Sequence, residues 1–362
     1  MNHFDPIDGQ LHAEAVPLAD LADRVGTPAY VYSTATLVRH YQVMAEAVAL
    51  HREALGNALI AFAVKANSNV SVLATLAGHG CGADTVSEGE IRRALAAGIP
   101  AQRIIFSGVG KTDAELDFAI ATGVRQINVE SPAELDRLIA IAKVRDACPD
   151  IAIRVNPKVG AGGHAKITTG GQGDKFGIPA DEAMALYAHA SASPHVNPVG
   201  LACHIGSQIV DLAPLKSAFE LLREMTLDLR ARGLTVSRLD LGGGLGVPYD
   251  QSETTAPADY VAMAAGVLAG LEVEAAFEPG RLLVANAGIL LSRVVQITER
   301  ADGRRFLVLD AAMNDLIRPA MYEAFHEVRP VRIRDGETVS YDIVGPICET
   351  GDTVARGRGL PP

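Results

Sequence analysis

Eight short apolar runs alternate with stretches of helical period between residues 58 and 280, and this alternation limits what the chain can fold into. The runs are ALIAFAVKA (58–66), GADTVS (82–87), RIIFSG (103–108), QINVES (126–131), IAIRVNP (151–157), GLACHIGS (200–207), SRLDLGGG (237–244) and EAAFEPG (274–280). Most are near-continuous rather than alternating, as strands buried on both faces are. Segments such as EGEIRRALAAG (88–98), TDAELDFAIATG (112–123), SPAELDRLIAIAKV (131–144) and SAFELLREMTLDLRARG (217–233) lie between them and carry helical period. Ser131 stands as an N-cap, with Pro132 at the first helical position and Glu134 at the third. Eight such units predict an α/β fold, a TIM-type (β/α)8 barrel. A doubly wound open sheet shares this periodicity and stays open on pattern alone.

The pattern changes after residue 285. Asp302-Gly303 and Asp335-Gly336 each stand between apolar runs, which predicts two hairpins of a second, all-β domain. The expected division is a barrel over 28–285 and a β domain made of 1–27 with 286–362. The first residues are expected to add a strand or two to that domain. It reads as C-terminally truncated, since GDTVARGRGLPP stops inside it. The glycine-rich KVGAGGHAKITTGGQGDKFG (158–177) has the length expected of a functional loop or lid.

Lys plus Arg number 32 against 43 for Asp plus Glu, a net charge of −11, which argues against nucleic acid or an anionic membrane as partner. No apolar run reaches the roughly 18 residues of a membrane span, and the opening segment lacks signal-peptide character. Cys81, Cys148, Cys203 and Cys348 form no CxxC pair, and no metal site is expected. A cytoplasmic protein is the expectation.

In a barrel, chemistry gathers at the carboxyl ends of the strands. There the sequence places Lys65, His204, the run Gly242-Gly243-Gly244, and Glu278-Pro279-Gly280-Arg281. Glycines after strands seven and eight let backbone N–H groups cradle phosphate; a bare tight turn is the alternative. Burial of the Lys65 stem is expected to lower its pKa and free the amine as a nucleophile. An amine beside a phosphate site suits pyridoxal phosphate, and a Glu278 carboxylate would keep the pyridine nitrogen protonated. Alone, Lys65 would read as an ordinary strand-end lysine, Glu278 as an ion-pair partner of Arg281, and His204 as a core histidine. Farther on, Arg318 and Tyr322 are four apart and share a face of a helical turn; arginine is the best fork for a carboxylate. Cys348, beside Glu349, could donate a proton, although an isolated cysteine is more often a small buried hydrophobe.

Together AVKAN (63–67), SGVGK (107–111), NVES (128–131), RVNP (154–157), TG…KFGI (169–178), HIGSQI (204–209), LDLGGGLG (239–246), EPGR (278–281), DAAMNDLIRPAMY (310–322) and VGPICETGD (344–352) closely resemble the diaminopimelate decarboxylase family. These are pyridoxal 5'-phosphate enzymes of the alanine-racemase-like barrel class, and the resemblance runs almost from residue 9 to the end. It implies decarboxylation of meso-2,6-diaminopimelate to L-lysine and CO2, the last step of bacterial lysine synthesis. It implies that Lys65 bonds the cofactor and that His204 stacks on its ring. Ser207, Gly243, Gly244, Glu278, Pro279, Gly280 and Arg281 are the implied remaining cofactor contacts. Arg281, Arg318, Tyr322 and Glu349 are the implied substrate contacts, and Cys348 the implied proton donor. Cys348 and Glu349 are expected to serve the partner's site in a homodimer. A pyridoxal phosphate decarboxylase of another basic or carrier-bound amino acid, or a non-catalytic pyridoxal-phosphate-binding homologue, are the alternatives.

Overall fold

The computed structural model describes residues 3–159, 175–249, 253–334 and 336–362. The chain separates into two units, one of residues 37–247 with 254–284, the other of 1–36 with 248–253 and 285–362. Most of the 158–177 stretch, read above as a lid, lies outside the described residues.

The larger unit is built on eight parallel strands. They are β1 (Leu59–Ala63), β2 (Gly82–Thr85), β3 (Ile104–Phe106), β4 (Gln126–Val129), β5 (Asp150–Asn156), β6 (Asn197–Ala202), β7 (Arg238–Asp240) and β8 (Glu274–Phe277). Their order is β5-β6-β7-β8-β1-β2-β3-β4. β4 pairs back onto β5, with Ile127 opposite Ile151, so the sheet closes into a barrel and the open-sheet alternative falls. Closure leaves each strand covered by the barrel interior on one face and by helices on the other. Hence every residue of β1 is buried, which is why the run reads as continuously apolar.

Each strand is followed by a helix: α1 (Val70–Ala77), α2 (Glu88–Ala96), α3 (Asp113–Thr122), α4 (Pro132–Val144), α5 (Ala180–Ser191), α6 (Ala213–Ala231), α7 (Pro257–Leu268) and the short α8 (Arg281–Val284). Local chemistry sets several starts. The Ser131 hydroxyl accepts the Glu134 N–H at 3.2 Å, as expected, and Thr112 with Glu115 forms a full capping box. Leu59, Ala61, Ile105 and Ala276 make an apolar layer of the core. At the amino ends, Arg238 bonds Asp150 at 2.9 Å and Arg125 bonds Glu274 at 2.7 Å, a charged belt at the end of the barrel that serves stability.

The smaller unit is mostly β, with helices at Leu18–Val25 and Arg318–Tyr322. Its four-stranded sheet has the order Val294–Glu299, Arg305–Leu309, Val339–Val344, Thr353–Leu360. Asp302-Gly303 joins the first two as the expected antiparallel hairpin. The second expected hairpin does not form, because Val339–Val344 runs parallel to Arg305–Leu309. The segment before it bonds elsewhere: Leu11 N–H reaches the Val331 carbonyl at 2.7 Å and Ile333 N–H the Gly9 carbonyl at 2.9 Å. The physical reason is apolar: Val331 packs against the cluster of Phe4, Leu11, Leu18 and Leu291. Asp335 lies outside the described residues. Pro6–Ile7, Gln10–Ala13 and Val16–Pro17 form their own three-stranded sheet, while Ala29–Tyr32 pairs with Gly288–Leu291.

Candidate active site

At the carboxyl end of β1 the chain turns through a 3₁₀ turn, Val64–Ala66, which carries Lys65. The Lys65 ammonium donates to Asp84 Oδ2 on β2 at 3.0 Å. Asp84 is fully buried, whereas the Lys65 side chain keeps 50% of its surface, so its stem is not buried as the sequence suggested. The protein around the amine displaces part of its water and so pulls the ammonium's pKa down, but the charges of Asp84 and Glu278 outweigh this and leave the net value above the ordinary 10.5. The expectation of an amine freed by desolvation is therefore overturned: Lys65 is held as an ammonium with a carboxylate in contact. Asp84 was missed by sequence reasoning. The signal that could have found it is a carboxylate inside the buried run GADTVS, a position where charge survives only with a partner.

His204 follows the end of β6. Its Nδ1 accepts the Gly243 N–H at 3.2 Å. Burial, then the positive charges of Lys65 and Arg154, hold its pKa well below 6.5, so the ring is neutral with its proton on Nε2.

The glycines after β7 are dictated by close approach. A Cβ at Gly242 would lie 2.3 Å from the Cys203 carbonyl, at Gly243 2.1 Å from the Glu278 carbonyl, and at Gly244 2.4 Å from the Gly206 carbonyl. Gly242 and Gly244 also have φ of +64° and +112°. The anion-nest expectation is narrowed, since several N–H groups of the run are used within the chain. Gly242 N–H goes to Asp240 Oδ1 at 3.0 Å, Gly243 to His204, and Gly246 to the Ile209 carbonyl at 2.8 Å. Past β8, the Pro279 carbonyl accepts the Ala63 N–H at 3.1 Å. A Cβ at Gly280 would press on Ala63 and Ala66 at 3.1 and 3.2 Å. Arg281 donates to the Ser207 hydroxyl through Nε at 3.2 Å and Nη2 at 3.1 Å, which joins the loops after β6 and β8.

Glu278 is buried and hydrogen-bonded to Asp240. Burial, then repulsion from Asp240 and Asp84, holds its carboxyl well above the usual range, with Lys65 pulling the other way. Asp240 is the better seat for the shared negative charge, because Asn128 Nδ2 donates to it at 2.8 Å and Gly242 N–H at 3.0 Å. The pair's proton therefore resides on Glu278. Glu278 Oε1 is buried without a hydrogen-bond partner among the described residues, as is Asp84 Oδ1. Asp240 and Asn128 were also missed. So was Arg154, paired with Glu130 at 2.6 Å.

In the smaller unit, Arg318 and Tyr322 do stand four apart on one helical turn. Arg318 donates to His326 Nε2 at 3.1 Å and lies over the Tyr249 ring at 4.4 Å. Cys348 and Glu349 occupy the turn between Val339–Val344 and Thr353–Leu360, and both are exposed, so the reading of Cys348 as a buried hydrophobe fails. Asp352 anchors that turn: its carboxylate accepts the Ile347 N–H at 2.8 Å and the Met313 N–H at 2.7 Å.

Residues 41–285 match the family model of the pyridoxal-dependent decarboxylase, pyridoxal binding domain. The chain is similar to the diaminopimelate decarboxylase of Zymomonas mobilis, 46% identical over 99% of this chain and 84% of that protein. It is 45% identical to the Pseudomonas aeruginosa diaminopimelate decarboxylase, over 99% of this chain and 85% of that one. Among solved structures, the Helicobacter pylori diaminopimelate decarboxylase complexed with L-lysine superposes with a TM-score of 0.90 at 38% identity, covering 95% of this chain and 85% of that chain.

Proposed function

The chain belongs to the pyridoxal-dependent diaminopimelate decarboxylases, and from that premise we propose how its residues divide the work. The enzyme converts meso-2,6-diaminopimelate to L-lysine and CO2, the last step of bacterial lysine biosynthesis. Its cofactor is pyridoxal 5'-phosphate. When bound, the cofactor's ring takes up the electron pair left behind as CO2 departs.

The barrel rim fits that group. The observation that carries the reading is Glu278 Oε1, a buried oxygen with no partner among the described residues, which would accept from a protonated ring nitrogen of the bound cofactor. A Cβ is excluded at Gly243 and Gly244 and tightly fitted at Gly280, and the bare backbone at these glycines would let a flat ligand and its phosphate lie close. Lys65 is the residue that bonds the cofactor. It must first lose a proton, and Asp84 is the acceptor in contact. His204, neutral and pinned by Gly243, gives a flat face for stacking. Asp240, fixed by Asn128 and Gly242, holds Glu278 in place through the hydrogen bond between the two carboxyl groups. Ser207, Pro279 and Arg281 complete the cofactor contacts, with Arg281 also facing substrate.

The substrate ends in a second amino-acid group that survives the reaction, so it needs a cation and an anion. Arg318 and Tyr322 hold the retained carboxylate, and Glu349 the retained amine. The Cys348 thiol returns a proton to the carbon that loses CO2. We read residues 28–285 as the cofactor domain and 1–27 with 286–362 as the β domain, whose segment after 286 carries Arg318, Tyr322, Cys348 and Glu349. The exposure of Cys348 and Glu349 supports a homodimer in which they serve the partner's site. The four free cysteines support a cytoplasmic location, and no helix among the described residues is long and apolar enough to cross a membrane. The net charge of −11 supports a partner list without nucleic acid.

Two experiments test the proposal. Offered meso-diaminopimelate, L-lysine, L-ornithine and L-arginine, the cofactor-loaded enzyme should release CO2 from diaminopimelate alone; preferential release from one of the others would reject the substrate assignment. Mixing inactive Lys65→Ala and Cys348→Ala chains should restore turnover through hybrid dimers, and no recovery would reject the shared site.

A further inference from the structure

Arg318 touches two aromatic side chains to which no role has been assigned. Its guanidinium lies 4.4 Å from the Tyr249 ring centroid, within stacking and cation–π range. Its Nη1 is 3.1 Å from His326 Nε2. Tyr249 and His326 meet each other edge to face, with centroids 5.4 Å apart and planes at 75°. A guanidinium has donors only, so the bond to His326 has one possible sense: Nη1 donates, Nε2 accepts, and the ring proton sits on Nδ1. A stacking contact on the face and a hydrogen bond at the edge together fix both the position and the plane of the guanidinium.

This matters because Arg318 is reached by a five-residue helix, Arg318–Tyr322, which is too short to be rigid by itself. The chain leaves that helix at Glu323, with φ of +52°, and returns so that His326, eight residues after Arg318, faces its side chain. Fork-to-carboxylate recognition depends on the guanidinium plane.

We propose that His326 is a positioning residue which, with Tyr249 stacked on the guanidinium face, holds the Arg318 fork in the plane needed to grip the substrate's retained carboxylate. The proposal rests on the assignment of Arg318 to that carboxylate. The departing carboxylate is a poor candidate for such a grip, since fixing its charge would stabilise the state before CO2 leaves.

The test uses the cofactor-loaded enzyme and two competitive inhibitors, L-lysine and cadaverine, which differ by the retained carboxylate alone. In His326→Ala the inhibition constant of L-lysine should rise about 10-fold, the loss of one charge-assisted hydrogen bond. That of cadaverine should stay within about 2-fold. His326→Gln, whose amide oxygen can replace Nε2 as acceptor, should recover most of the lysine affinity. A parallel Arg318→Ala chain separates the two levels. If it loses lysine affinity while His326→Ala does not, the clamp is wrong. If Arg318→Ala leaves lysine affinity intact, the carboxylate assignment fails and the clamp with it. Equal weakening of lysine and cadaverine in His326→Ala would mark a merely structural histidine and also overturn the proposal.

Discussion

Asp84 Oδ2 lies 3.0 Å from the Lys65 ammonium, and this contact favours the charged form of the residue proposed to bond the cofactor. Partial desolvation alone would favour the neutral amine, yet Asp84 and Glu278 together keep the proton in place. The sign of the linkage follows. A lysine whose pKa is raised on folding adds stability at pH below its ordinary 10.5, and that contribution is lost as pH climbs through the raised value. Asp84→Asn should remove it and move the pH dependence of cofactor attachment toward lower pH. Attachment rates measured across pH on parent and variant check this; an unshifted profile would show that Asp84 does not control the amine.

Glu278 makes the opposite demand. Its carboxyl pKa is raised well above 4.5, so without cofactor the fold is stabilised least at high pH. The contribution is complete below the ordinary carboxyl range and declines as pH rises through the raised value. Glu278→Gln should flatten that dependence and raise the melting temperature of the cofactor-free protein near neutral pH. In the loaded enzyme it should cut turnover by roughly 10²-fold, because the amide cannot hold the ring nitrogen's proton. Melting curves of the apoprotein at several pH values, beside turnover, separate the two effects.

Glycines at the rim and in the helices differ in whether they are needed. Gly243→Ala would place a Cβ 2.1 Å from the Glu278 carbonyl. It should cost about 1–3 kcal/mol of stability and displace Glu278, weakening cofactor binding. Gly266, inside α7, has nothing within 4 Å of a built Cβ. Gly266→Ala should stabilise by about 0.5–1 kcal/mol and leave cofactor affinity unchanged. Urea unfolding and cofactor titration read both outcomes.

Lys111 holds the loop after β3. Its ammonium donates at 2.7 Å to Glu134 Oε1, the Gly108 carbonyl and the Asn128 carbonyl, and it is 3% exposed. Lys111→Met leaves Glu134 buried and uncompensated, which should cost about 3–5 kcal/mol in urea unfolding. Adding Glu134→Leu should recover most of the loss; failure to recover would place the cost in the loop carbonyls instead.

The barrel was legible because its strands are covered on both faces, so each announces itself as an unbroken apolar run between helical periods. The rim residues Lys65, His204, Gly243, Gly244 and Glu278 were legible because each directly follows such a run. What controls them was not. Asn128 and Asp240 are 112 residues apart and meet only because the barrel closes. The charge state of Lys65 is a balance between burial and two carboxylates, one of them brought in from the last strand. In the smaller unit, a turn dipeptide specified a hairpin correctly at Asp302-Gly303. At Asp335-Gly336 the dipeptide misled, because Val331 finds a better apolar surface beside Leu11.

The central claim is that Lys65, on the barrel rim, carries cofactor-dependent conversion of diaminopimelate to lysine. The direct measurement is lysine and CO2 formed from meso-diaminopimelate, with added pyridoxal 5'-phosphate, by the chain and by its Lys65→Ala variant. The account predicts equimolar lysine and CO2 from the parent and neither from the variant. Equal output from the two chains, or none from a parent shown to hold its cofactor, would contradict it.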